Sequence, residues 1–63
     1  MYIVEIIYND ESRSYTPMNT YCKAVDLAKS KYNPQKVSSV IVLYNKHIIY
    51  EHSVGNCERF WRG

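Results

Sequence analysis

Three apolar runs in this chain have the period of β-strands. Tyr2–Tyr8 and Val37–Tyr44 are rich in β-branched and aromatic side chains, which are typical of strands. His47–His52 is a shorter run of the same kind. Asn45 and Lys46 separate the last two runs, and asparagine tolerates the positive φ that tight hairpin turns require. We therefore expect an antiparallel hairpin at this point.

A second hairpin is expected near the start of the chain. Residues 9–12 are turn formers, and Arg13–Thr16 can return beside the first run as a short strand. Its polarity suits the edge of a sheet, where a strand has a neighbour on one side only. Pro17 is expected to end this strand, because proline has no N–H to donate to a ladder.

One segment has the period of an α-helix. Between residues 20 and 33, a narrow apolar stripe with small alanines at its centre lies opposite lysine, aspartate and serine. Asn19 or Thr20 is suited to cap the first turn. Asn33–Pro34 should stop the helix, because the residue before proline disfavours helical backbone. The residues of the stripe are Tyr21, Ala24, Val25, Ala28 and Tyr32.

These elements predict an α+β fold with the order ββαββ. The connections are short, so we expect a four-stranded, mainly antiparallel sheet with the single helix packed on one face. Residues 1–55 would form this one domain, and residues 56–63 an aromatic and basic C-terminal tail. A chain of 63 residues buries only about 60% of the surface that its unfolded form exposes, so association with a partner would support it.

The strands are apolar on both faces, whereas one helix can cover only one of them. Alternation predicts that the helix face carries Val4, Ile6, Val40 and Val42. Glu5 marks the opposite face as the one away from the helix. That uncovered face would carry Ile3, Ile7, Ile41 and Leu43. In the fourth strand, Ile48 and Tyr50 share one side, Ile49 and Glu51 share the other, and alternation leaves open which side is exposed.

An uncovered apolar patch on neighbouring strands indicates a surface for a partner. We predict that a partner protein, or a second copy of the chain in a homodimer, buries this patch. The tail would contribute arginine and aromatic side chains, which are enriched at binding hot spots. The predicted partner-binding residues are Ile3, Ile7, Ile41, Leu43, Tyr50, Arg59, Phe60, Trp61 and Arg62. An alternative is that Phe60 and Trp61 fold back and cover the patch themselves.

Composition favours a cytoplasmic location. The net charge of +2 is near balance, and two cysteines, Cys22 and Cys57, are too few for a secreted disulfide scaffold, so we expect reduced thiols. Residues 1–5 lack the basic region of a signal peptide. No apolar segment approaches the ~20 residues of a membrane span, so no membrane partner is expected.

No pattern in the chain predicts catalysis. His47, His52, Cys22 and Cys57 lack the close spacing of a zinc site, and solvated histidines are the simpler interpretation. A cysteine–histidine nucleophile pair needs an orienting group and a closed pocket, for which so small a fold leaves little volume. With only two glycines there is no phosphate-binding loop. We therefore expect no enzyme activity, no metal site and no cofactor.

A nucleic-acid-binding module is the main alternative. Seven tyrosines in so short a chain could present stacking surfaces for RNA or single-stranded DNA. However, Tyr2, Tyr8 and Tyr44 fall on the face assigned to the helix, and the basic residues do not cluster on one strand. Tyrosines at the margin of a core, with the ring inside and the hydroxyl outside, explain the same composition. Protein binding therefore ranks first.

The layout of the apolar segments resembles that of small phage-encoded accessory proteins. The segments that carry the resemblance are Val4–Ile6, Ala24–Tyr32, Val40–Tyr44 and Ile48–Glu51. The layout is similar to that of a phage antitoxin that neutralises a host toxin by binding it, although the aromatic tail is longer here. The resemblance implies an antitoxin-like or anti-defence inhibitor that binds and blocks a host protein in the host cytoplasm.

Overall fold

The strands form one antiparallel sheet with a helix on one face. The computed structural model describes residues 1–61 of the 63 in the chain. Its elements are β1 (Tyr2–Tyr8), β2 (Arg13–Met18), α1 (Tyr21–Lys31), β3 (Val37–Tyr44), β4 (His47–Ser53) and β5 (Arg59–Phe60). The strand order is β2-β1-β3-β4-β5. The predicted α+β class is confirmed, whereas the predicted four strands are one fewer than the five in the sheet.

The fifth strand comes from the segment that the sequence predicts to be a tail. β5 pairs with β4, and Phe60 lies directly opposite Tyr50. Trp61 continues the pairing, because its N–H donates to the carbonyl of Ile49 over 3.0 Å. A strand of two residues is too short to show alternation in the sequence. No local pattern in the sequence therefore predicts that the C-terminal segment joins the sheet.

β2 extends to Met18, so the prediction that Pro17 ends this strand is wrong. Among the described residues, β2 lies at the edge of the sheet and has β1 as its one neighbouring strand. A proline is tolerated in an edge strand, where the side without a neighbour needs no N–H donor. Pro17 lies opposite Ile3, and the register from Met18 to Arg13 runs without a shift.

Small side chains let α1 pack closely on the sheet. The Oγ1 of Thr20 accepts a hydrogen bond from the N–H of Lys23 at 3.3 Å, and this caps the first turn as the sequence predicts. Ala24, Val25 and Ala28 are buried. The helix packs on β1, β2 and β3. No helix in residues 1–61 is long and apolar enough to cross a membrane.

The core lies between the helix and the face of the sheet that the sequence assigns to it. Its buried residues are Val4, Ile6, Ala24, Val25, Ala28, Val37, Val40, Val42, Ile49 and Tyr50. Tyr50, a predicted partner-binding residue, is thus fully buried. The cause is a β-bulge: Tyr50 lies opposite Val42 and Ile48 opposite Leu43, which leaves Ile49 as the extra residue. Simple alternation cannot anticipate that neighbouring residues both face the core.

The hydroxyl of Tyr50 ties the C-terminal segment to this core. It donates to Oε2 of Glu58, and the same carboxylate oxygen lies 4.0 Å from Nζ of Lys29 in the last turn of α1. Burial raises the pKa of Tyr50, and the hydrogen bond to Glu58 raises it further. Both effects favour the neutral phenol over the phenolate.

Tyr50→Phe should lower the free energy of unfolding at neutral pH by about 1 kcal/mol, the usual net contribution of one hydrogen bond. Above the ordinary tyrosine pKa of 10.0 the wild type should lose this advantage. There the unfolded chain releases the Tyr50 proton while the folded chain retains it, which costs the wild type up to about 1.4 kcal/mol per pH unit. Urea unfolding at a series of pH values measures both variants. A difference that stays constant from about pH 7 to about pH 11 would contradict the raised pKa.

Candidate protein-interaction face

The face of the sheet that points away from α1 has no further layer over it in residues 1–61. We call it the open face. Residues that lie directly opposite each other on neighbouring strands share a face, so the register identifies its members. From β2 to β5 they are Arg13, Tyr15 and Pro17; Ile3, Glu5 and Ile7; Ser39, Ile41 and Leu43; Ile48, Glu51 and Ser53; and Arg59.

Four apolar side chains cross the open face in one row, which we call the apolar strip. They are successive cross-strand neighbours on β2, β1, β3 and β4, namely Pro17, Ile3, Leu43 and Ile48. Ile3 and Leu43 are half-buried, and Ile48 keeps 41% of its surface exposed. At a strand spacing of about 4.8 Å the row extends for about 14 Å. Single exposed apolar residues are ordinary, but a contiguous row is typical of an interaction site.

The strip contains two of the four residues that the sequence predicts as the apolar centre of the interface. The other two lie in neighbouring rows of the open face. Ile41 lies between Glu5 and Glu51, and only 9% of its surface is exposed. Ile7 is half-buried opposite Arg13. Ile41 therefore offers little contact area to a partner, because its neighbours on the sheet already shield it.

A buried carboxylate lies beside the strip. Glu5 has only 7% of its surface exposed, and its Oε2 accepts a hydrogen bond from a guanidinium nitrogen of Arg13 at 2.9 Å. The bond to Glu5 raises the pKa of Arg13. A carboxylate with so little access to water depends on such a partner, because desolvation penalises its charged form. The pair gives the open face a charged flank next to the strip.

The aromatic residues of the C-terminal segment do not cover the open face. The Phe60 ring lies on the helix side, with its centroid 5.0 Å from that of Tyr50. Trp61 lines a cleft on the same side. Arg59 is placed on the open face by the register of β5. Arg62, also predicted to contact a partner, lies outside the described residues.

Pro17 and Ile48 complete the strip, although the alternation of the sequence does not single them out. Pro17 would be found by extending β2 past it, because Arg13, Tyr15 and Pro17 then share one face. Alternation fails to predict Ile48 for a different reason. The bulge at Ile49 shifts the alternation within β4, and no turn residue or proline marks its position.

The histidines and cysteines do not gather at the open face. His52 stacks on Tyr32 at the end of the helix, with ring centroids 3.9 Å apart and planes at 17°. Cys22 and Cys57 are exposed thiols. Within residues 1–61, no three His, Cys, Asp or Glu side chains lie close enough together to hold a metal ion.

Arg13→Ala should reveal how strongly Glu5 depends on its partner. We expect the free energy of unfolding to fall by about 1–3 kcal/mol, the usual cost of leaving a buried polar group without its hydrogen bond. Adding Glu5→Leu should restore most of that loss, because leucine needs no partner in the same space. Urea unfolding of the wild type, the single variant and the double variant measures both steps. Equal losses in the two variants would show that the ion pair does not support Glu5.

Comparisons of the chain with protein families, with curated proteins and with solved structures find no match. The resemblance in layout to small phage-encoded accessory proteins therefore stays a prediction.

Proposed function

We propose that the protein is a non-catalytic binding module that engages another protein through its open face. The observation that carries this proposal is the apolar strip, which crosses four strands with no layer above it in residues 1–61. A small domain has little apolar burial to spare, so a row of partly exposed apolar side chains is a cost to the free protein. A partner that supplies the second layer would remove this cost.

The apolar strip can supply part of the binding free energy of an interface but not all of it. Fully burying a leucine or isoleucine side chain contributes about 1.5–3 kcal/mol, and Ile3 and Leu43 are already half-buried. The strip therefore supplies a few kcal/mol, against an association cost of about 4–15 kcal/mol. Polar contacts around the strip have to supply the remainder, as in interfaces that combine an apolar centre with a polar rim.

The charges around the strip indicate which kind of surface fits. Arg59 is exposed on β5, and Arg13 keeps 56% of its side chain exposed while it is bonded to Glu5. Glu5 is buried and Glu51 half-buried, so the basic groups are the more accessible ones. We expect a partner protein whose apolar centre is flanked by acidic side chains, because these would meet Arg13 and Arg59.

Blocking is the simplest action for such a module. A small domain that binds without chemistry acts by occupying a surface that its partner needs. In the version that the layout resemblance implies, the partner is a host toxin, defence component or transcription component, and the chain is a phage-type inhibitor. A second copy of the chain is the competing occupant of the open face, and the experiment has to separate the two.

Ile48→Glu should abolish partner binding while the protein stays folded. Ile48 is the most exposed of the three aliphatic residues in the strip, so a carboxylate there stays solvated in the free protein. In the complex it would be buried opposite an apolar surface. We expect the affinity for a captured partner protein to fall at least ~30-fold, equivalent to about 2 kcal/mol. Calorimetric titration of the purified pair measures the change.

Val54→Glu is the matched control. Val54 is 46% exposed and follows β4 outside the strip, so the same change of side chain should leave the affinity unaltered. Ile41→Glu is a poorer probe, because it would place a third carboxylate between Glu5 and Glu51 and disturb the sheet. Equal affinities of Ile48→Glu and the wild type would exclude the open face as the binding site.

Light scattering of the free protein separates the two possible occupants. A wild type that is monomeric over a dilution series supports a foreign partner. A dimer that Ile48→Glu converts to a monomer would instead assign the open face to a second copy. Added salt should weaken the binding of a protein partner only modestly, through Arg13 and Arg59, whereas a series of phosphate contacts would give a steep loss.

A further inference from the structure

A concave feature lies on the helix side of the sheet, away from the open face. It is a cleft of about 260 Å³ between the start of β1, the first turn of α1, the end of β3 and the C-terminal segment. Its lining consists of Tyr2, Tyr21, Tyr44, Ile49 and Trp61. We call it the aromatic cleft, because four of these five side chains carry aromatic rings.

The ring of Tyr2 contacts two other tyrosine rings of the aromatic cleft, and three of the four aromatic side chains stay exposed. The Tyr2 centroid lies 4.7 Å from that of Tyr44 and 6.1 Å from that of Tyr21, with angles of 36° and 73° between the ring planes. Tyr21, Tyr44 and Trp61 keep 41%, 39% and 42% of their surfaces exposed. Rings that are held in place from several segments and stay this exposed offer faces on which a flat ligand can stack.

The polar groups in and beside the cleft narrow the class of ligand. The described lining carries three phenol hydroxyls and an indole N–H but no carboxylate. His47 lies directly opposite Tyr44 on β4, and Lys46 is in the adjoining turn. A quaternary ammonium ligand also favours aromatic rings, but here it would meet basic neighbours. A flat ring with hydrogen-bonding edges and an attached negative charge fits these groups better.

We propose that the aromatic cleft binds the base of a nucleotide by stacking, with the phosphate on the side of Lys46 and His47. Its volume of about 260 Å³ is below the ~300–1,000 Å³ of sites for drug-sized molecules and suits a single ring system. A free nucleotide and an unpaired base in a single strand present the same chemistry to the cleft. This site is independent of the open face and of the protein binding proposed for it.

Trp61 reports on this site directly, because it is the single tryptophan of the chain and lines the cleft. Its fluorescence is titrated at low salt with adenosine monophosphate and with an oligouridine of about eight nucleotides. We expect saturable quenching, with a dissociation constant that is roughly millimolar for the mononucleotide. Binding of the oligonucleotide that is at least ~10-fold tighter would identify a single strand as the source of the base, whereas equal constants would identify the free nucleotide.

Substitutions in the cleft separate stacking from unspecific quenching. Tyr44→Ala removes one ring and should weaken binding at least ~10-fold. Tyr21→Ala provides a second variant at the exposed first residue of the helix, where alanine is well tolerated, and circular dichroism checks that both fold. Tyr15→Ala is the matched control, because Tyr15 is 60% exposed on the open face and its loss should leave binding unchanged.

Three results would overturn the proposal. One is the absence of saturable quenching by either probe up to about 10 mM. Another is equal affinity of the wild type and both cleft variants. The third is tighter binding of tetramethylammonium or of benzyl alcohol than of either nucleotide probe, which would assign the cleft to a cation or to an uncharged aromatic side chain of a protein partner.

Discussion

One constraint underlies the structure of residues 1–61: a single short helix has to cover a sheet of five strands. The 11 residues of α1 give a length of about 16 Å. Five strands at a spacing of about 4.8 Å make the sheet about 19 Å wide. The helix packs over β1, β2 and β3, close enough for alanine side chains to fill the interface. Its cover is incomplete on its own side and does not extend to the open face.

The two faces of the sheet differ in what covers the strands that the helix does not reach. On the helix side, large side chains cover the part of the core that lies beyond the helix. The side chain of Tyr50 on β4 fills the core, and the Phe60 ring packs against the Tyr50 ring. The Glu58 carboxylate accepts a hydrogen bond from the Tyr50 hydroxyl. The aromatic cleft is the part of this side where the rings stay exposed. On the open face no residue of the described chain plays the corresponding role, so the apolar strip stays in water. Both proposed sites thus arise from the same lack of a second layer.

The sequence predicts the features that depend on near neighbours. The Thr20 cap and the Asn45–Lys46 turn, with φ of 51° and 67°, lie where the local pattern places them. Alternation also predicts correctly that Val4, Ile6, Val40 and Val42 face the helix. Val37 joins the same core against alternation, because the register of β1 and β3 shifts beside it. The bulge at Ile49, the pairing of β5 and the burial of Glu5 depend instead on which strands become neighbours, and local patterns do not record this. Half of the apolar strip is missed for two separate reasons: Pro17 lies past the predicted end of β2, and the bulge at Ile49 shifts the alternation that would place Ile48.

The proposed function requires the open face of the free protein to be in contact with water. Methyl relaxation in the presence of a neutral gadolinium chelate tests it without knowledge of any partner, because the chelate acts only on methyl groups that it can approach. The buried methyls of Ile6 and Val40 provide the internal reference. We predict enhancements several-fold above this reference at Ile48, Leu43 and Ile3. Enhancements at these three residues as small as those of the core would contradict this prediction, because they would show that a second copy or the end of the chain already covers the face.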